Sequence, residues 1–401
     1  MTPAPGAGAG TSVPPPGRSR SWRWTLLQAA IACAAILYLV SAMNWHDQVV
    51  IPAGARLPGL PPAPAQRLAQ VVDADGKSLH LVLDGADILL PRAQLGTAVG
   101  EVHLKPGIMP VLRGAKVGDL VTVLLVIACV IPVQALRWWL LLRARGIAPS
   151  PLQTLRLHLI GCFWNCLFPG LTGGDAVKAW QVARQSGRTA DAIMSVLVDR
   201  LLGLLALFVL AALAGMTLSE STSHQLLTQR IWLVLAILVP GILVWVSPTI
   251  SRVIGVDRLI TWSLTHPRVA LVAAALLAYR RHHAVMLACF ACSVAGHLLL
   301  IGGCIIAGRT LGIVTPWGEM LMLLSLVFLI GAVPISLFGL GVMEVAAVAL
   351  MGSLASPNQV ISMLVIYRLA LIATALPGGL LMIGGTHLRP VVGPVPGAGR
   401  P

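Results

Sequence analysis

Charge is what this chain has least of. Only 10% of its 401 residues are Asp, Glu, Lys or Arg, against 57% that are apolar. An ordinary soluble domain carries about 25% charged residues. Acids are scarcer than bases, 14 against 28. The formal net charge of +14 therefore comes from missing carboxylates as much as from added cations. Cysteine is absent from the long polar stretch 44–118; Cys33, Cys129, Cys162, Cys166, Cys289, Cys292 and Cys304 all lie within apolar runs. That placement excludes a disulfide-stapled exterior domain and reads as small packing residues. There is no His-rich metal spacing, no Gly-x-Ser-x-Gly and no P-loop. An enzyme, a metal site and a bound cofactor are accordingly not expected. The basic residues cluster between apolar segments, which fits the positive-inside rule and contact with anionic headgroups rather than nucleic acid.

What is present is a series of apolar runs long enough to cross a bilayer. Residues 1–20 are rich in Pro, Gly and Ala and read as a disordered tail. Arg18, Arg20 and Arg23 precede a first transmembrane helix at 24–43, so that helix should leave the cytoplasm. Residues 44–118 then lie outside. Short alternating apolar segments around Asp73–Lys77 and Asp84–Gly85 predict a small β-rich insertion there. Residues 119–385 carry the remaining spans, and 386–401 form a cytoplasmic tail. The whole reads as an all-α polytopic plasma-membrane protein with both termini cytoplasmic. About six full spans accompany two broken or re-entrant elements, which the flanking charges place in inverted orientation. Arg137 and the Trp138–Trp139 pair read as snorkelling and interface-belt residues, and 175–186 as an amphipathic helix at the surface.

The two breaks carry most of the information. The first, Phe168-Pro169-Gly170-Leu171-Thr172-Gly173-Gly174-Asp175, interrupts an apolar run with a proline, glycines and a carboxylate. The second is Pro334-Ile335-Ser336-Leu337-Phe338-Gly339-Leu340-Gly341-Val342-Met343-Glu344. Broken backbone at membrane depth is tolerated only inside protein or beside a watery cavity. Gly173 and Gly174 expose N–H groups at a helix start, where an anion is favoured. Asp175 is either a cap or an organiser of Lys178 or an arginine, with Pro169 setting the break. Asn165 can satisfy the backbone freed by the break or touch a substrate. His158 reads as a packed or interface histidine. Asp199-Arg200 lies inside a membrane helix, where both need partners, locally or across to the broken segment. Glu344 and Arg368, the latter after Tyr367, form a second potential acid–base pair. The binding candidates are thus Asn165, Gly173, Gly174, Lys178, Arg184, Arg200 and Arg368. The organising or gating candidates are Pro169, Asp175, Asp199, Pro334, Gly339, Gly341, Glu344 and Tyr367.

The run Asn165 to Trp180, with Ser195 to Gly203, Pro334 to Glu344 and Tyr367-Arg368-Leu369, resembles the lysylphosphatidylglycerol synthase transmembrane, or flippase-like, family over about 120–385. That resemblance implies an integral membrane protein; in members that carry a fused aminoacyl-transferase domain the membrane part is held to translocate the modified lipid. Phe338 and Met343 stand where the family commonly has glycine and arginine, and 44–118 is longer than the first exterior loop the family implies. The expected function is movement of an anionic lipid, a phospholipid or a polyprenyl-phosphate-linked one, between leaflets. The rival is a non-catalytic partner of a cell-envelope lipid or glycan enzyme, docked through 44–118. Deleting that insertion separates the two. A docking role predicts loss of the complex on affinity purification with lipid exchange spared.

Overall fold

A computed structural model describes residues 46–52, 67–74, 78–83, 86–91, 93, 95, 102–105, 107, 113–167, 173–217, 222–246, 252–253, 255, 257–266, 270–333, 341–352 and 354–383. The expected tail 1–20, first helix 24–43, tail 386–401, Pro169, Pro334 and Gly339 lie outside the described residues.

The polar insertion folds into an antiparallel sheet of β1 (Gln48–Ile51), β2 (Arg67–Ala74), β3 (Ser78–Leu83), β4 (Ala86–Pro91) and β5 (His103–Lys105), in the order β4-β3-β2-β1-β5. Strict alternation in β3 turns Leu79, Leu81 and Leu83 to one buried face, with Val49, Ile51, Val71, Ile88 and Leu90 beside them. A side-chain period of two sets this register, Leu79 opposite Leu90 and Leu81 opposite Ile88.

The helices are α1 (Val117–Ala128), α2 (Val130–Ala144), α3 (Pro151–Leu167), α4 (Gly173–Ser186), α5 (Thr189–Gly215), α6 (Thr222–Val246), α7 (Asp257–Thr265), α8 (Ala270–Ala278), α9 (His283–Thr310), α10 (Trp317–Ala332), α11 (Val342–Met351) and α12 (Pro357–Ile383). Five stretches among the described residues are long and apolar enough to cross a membrane: α1–α2 as one rod Val117–Ala144, α5, Gln225–Ile242 within α6, α9, and Pro357–Met382 within α12. The polar residues from Thr222 onward are helical and open α6.

The order rod, broken pair, long helix occurs twice. The rod Val117–Ala144 and α9 are both 28 residues long, and α5 and α12 are both 27. Between rod and broken pair stand the six-residue connectors 145–150 and 311–316. Each has its glycine, Gly146 or Gly312, at positive φ, and the next residue closes the helix by donating to the carbonyl of Leu142 or Gly308. The rods pack antiparallel. Thr310 donates to Asp119 at one end, Ile127 faces Gly303 in the middle, and Arg137 donates to Ser293 towards the other end. Each broken pair returns to the end it left. Gly146 lies against the Arg188 guanidinium, and Gln359 donates to Leu311 O at 2.9 Å.

Glycines permit the closest crossings. A Cβ on Gly378 of α12 would run into the Leu159 carbonyl of α3, and one on Gly379 would meet the Phe163 ring. Gly318 of α10 sits in the same way on Thr217 and Ala214, at the end of α5. Around these crossings lies an apolar core that includes Val123, Ile127, Cys304, Leu323, Val327 and Met363. Gly378→Val should destabilise the chain by about 1–3 kcal/mol, because backbone cannot yield to the added methyls. Gly302→Ala, in open space, should change stability by less than about 0.5 kcal/mol. Unfolding of the detergent-solubilised chain measures both.

Candidate functional site

The site is built where α3 and α4 meet. Thr154, His158, Gly161 and Asn165 share one stripe of α3 at helical spacing. Gly161 and Gly174 bring the two backbones together. A Cβ on Gly174 would collide with the Gly161 carbonyl, and one on Gly161 with the Lys178 stem. Asn165 Oδ1 accepts the Gly174 N–H at 2.8 Å, satisfying one of the helix-start donors that have no partner within the helix. Asp175 is the third residue of α4, where the helix dipole favours a carboxylate. Its Oδ1 lies 2.8 Å from Lys178 Nζ, and its Oδ2 accepts from Arg200 Nε of α5. It is therefore the organiser of two cations rather than an N-cap. The Lys178 ammonium also stands 5.1 Å from the centre of the Trp138 ring, a cation–π distance.

A second pair adjoins the first. Arg137 of α2 grips Asp199 through Nε at 2.6 Å and Nη2 at 2.8 Å, and its Nη1 donates to Ser293 of α9 at 2.9 Å. Ser293 O is in turn 2.8 Å from His297 Nδ1. Trp138 Nε1 donates to Ser195 at 3.2 Å. These contacts correct the sequence reading of Arg137 and Trp138. Neither reaches an interface: Arg137 is 7% and Trp138 0% exposed. The signal was Asp199, a carboxylate in an apolar helix that had to find a cation. Asp199 and Arg200 do not pair locally; adjacent positions on a helix point in different directions, so one meets Arg137 and the other Asp175. The amphipathic helix expected at 175–186 is α4: Asp175, Lys178 and Val182 are buried on one side, while Trp180 on the other is exposed. Arg184 is exposed too, 5.5 Å from the Trp180 ring, and lies outside the cluster. Gly173 opens α4 and is half-buried.

The second half builds a simpler version. Arg368 Nε donates to Glu344 Oε1 at 2.6 Å, and Glu344 Oε2 accepts the Gly341 N–H at 2.7 Å. Gly341 has φ +81°, a backbone setting that favours glycine. Tyr367 stacks on Phe328 at 5.3 Å instead of bonding the pair. Glu344 is the third residue of α11, as Asp175 is of α4. Arg368 is the twelfth residue of α12, as Arg200 is of α5. Among the described residues no three His, Cys, Asp or Glu side chains gather in a metal-holding group.

Residues 107–378 match the family described as Lysylphosphatidylglycerol synthase TM region. No curated protein matches the chain. Removing one partner of a buried ion pair leaves an uncompensated charge, so Arg137→Ala should cost about 3–5 kcal/mol of stability. Arg137→Met with Asp199→Leu should recover much of that loss in the same unfolding measurement, since it removes both charges.

Proposed function

Because the chain belongs to the family of the lysylphosphatidylglycerol synthase TM region, we propose that it moves an anionic lipid, phospholipid or polyprenyl-phosphate-linked, between membrane leaflets. The observation that carries this reading is the buried charge cluster at the start of α4. Arg137, Lys178 and Arg200 stand against Asp175 and Asp199, which leaves one positive charge beside the N-terminal end of a helix. A phosphate-bearing headgroup balances that charge and suits the helix end. Arg200, with its side chain 36% exposed, is the reachable member, whereas Lys178 and Asp175 are 5% and 7% exposed. The lipid tails stay in the bilayer while the headgroup crosses inside protein. No covalent step is required of the chain.

The broken pairs α3–α4 and α10–α11 act in this reading as two re-entrant elements entering from opposite faces, as the antiparallel rods support. Arg143, Arg145, Arg188, Arg280 and Arg281 gather at one end. Arg145 donates to Ala278 O and to Asp191, and Arg188 pairs with Asp191. A basic end of this kind faces the cytoplasm of a plasma membrane and concentrates anionic headgroups. The sheet 48–105 then lies on the exterior side.

Leaflet exchange of a tail-labelled phosphatidylglycerol in phosphatidylcholine vesicles tests the function. Arg200→Ala and Arg368→Ala should each slow exchange at least about tenfold, equivalent to about 1.4 kcal/mol, with the unfolding midpoint showing that the variants are folded. Wild-type exchange equal to that of protein-free vesicles would sink the reading.

A further inference from the structure

The two halves follow the same plan, so each side chain of the first has a counterpart in the second. What both keep is the tie between half-helix and long helix, Asp175 to Arg200 and Glu344 to Arg368. What has diverged is the rest of the polar cluster. Arg137 is the twenty-first residue of its 28-residue rod, and Gly303 is the twenty-first of α9. Ser293, the eleventh of α9, has Ile127 as its counterpart. The Arg137–Ser293 hydrogen bond on one side is therefore matched on the other by Ile127 Cγ1, 3.0 Å from where a Gly303 Cβ would stand. The same crossing of the same rods is polar in one half and apolar in the other. Counting along α4 and α11 pairs Lys178 with Ala347, and along α5 and α12 pairs Asp199 with Tyr367.

His158 points to a ligand. It is the eighth residue of α3 and only 3% exposed, and neither ring nitrogen has a hydrogen-bond partner among the described residues. A neutral imidazole always presents one donor and one acceptor, and leaving both unmade in a buried place is costly. The charged groups that act on it, Lys178, Asp199, Arg137 and Asp175, are bonded to one another and to Arg200, not to it. The eighth residue of α10 is Leu324, fully buried, with no such cost. The packing of this place therefore does not require a histidine.

We propose that the halves have divided labour: the anionic headgroup is held only in the first, by Lys178, Arg200 and His158, while Glu344–Arg368 is a latch on α11 that takes no headgroup. This rests on the anionic-lipid reading above. At the latch both carboxylate oxygens are committed, one to Arg368 and one to Gly341, whereas the first cluster has an opening at Arg200, whose side chain is 36% exposed. Cations corresponding to Lys178 and Arg137 are missing there, so an arriving anion would meet a neutral, dry pair. Opening it frees α11 from α12.

The test pairs binding with flux, using the full chain and tail-labelled phosphatidylglycerol, with phosphatidylcholine as the comparison probe. Lys178→Gln and His158→Leu should each weaken phosphatidylglycerol binding by about tenfold or more. His158→Leu should at the same time raise the unfolding midpoint, because the unpartnered polar atoms are gone. Arg368→Gln should leave binding within about twofold, slow leaflet exchange and speed amide hydrogen exchange over 342–351. Arg368→Lys should retain exchange. The proposal fails if Arg368→Gln weakens binding as much as Lys178→Gln, or if His158→Leu binds like wild type. A wild type that binds both probes equally would instead overturn the anionic-lipid reading. The latch is still tested in that event, since unchanged amide exchange in Arg368→Gln would exclude it.

Discussion

A carboxylate and a guanidinium taken out of water must meet, and in this chain they meet across helices. Asp175 cannot remain near the start of α4 without Lys178 and Arg200, nor Asp199 within α5 without Arg137. Asp175–Arg200 and Asp199–Arg137 each join two different helices, so the desolvation cost of one charge becomes a constraint on where another helix can lie. The broken backbone depends on the same economy. Orphan N–H groups at the start of α4 or α11 find Asn165 or Glu344, and only then can a half-helix end inside protein instead of at water.

Around these ties the packing is carried by absence of side chains. Gly161, Gly174, Gly378 and Gly379 let helices touch through backbone or ring atoms. In a bilayer, where lipid is as apolar as leucine, close van der Waals approach of this kind is what favours helix association. The antiparallel rods then put one plan into the membrane in two senses. A shared plan makes the differences between halves informative: the positions that stayed the same hold the architecture, and those that turned apolar in the second half are free of it.

Much of the fold was legible. Long apolar runs announce spans because an unsatisfied peptide group in lipid is costly, and alternation over 79–83 announces a strand with one buried face. The two breaks and the pair Glu344–Arg368 could be nominated from residue type and depth alone, whereas the partner of Arg200 was left open between Asp199 and the broken segment. Arg137 and Trp138 were misplaced, because Arg137 and its neighbours also satisfy the rules for a membrane interface. Sequence spacing along one helix does not say which face a different helix will cover. Arg184 erred the other way: its sequence proximity to Lys178 put it with the binding candidates, but it points to the opposite side of α4.

By itself the sequence determined that this is a multi-pass helical protein with charge permitted only at a few interior points, since hydropathy and backbone satisfaction act locally along the chain. Only the tertiary structure decided that Asp199 meets Arg137 and Arg200 meets Asp175, that the two rods cross at Ile127–Gly303 and Arg137–Ser293, and that His158 stands buried where the other half has Leu324. Those facts depend on contacts between residues tens to more than a hundred positions apart, and no local pattern along the chain encodes them.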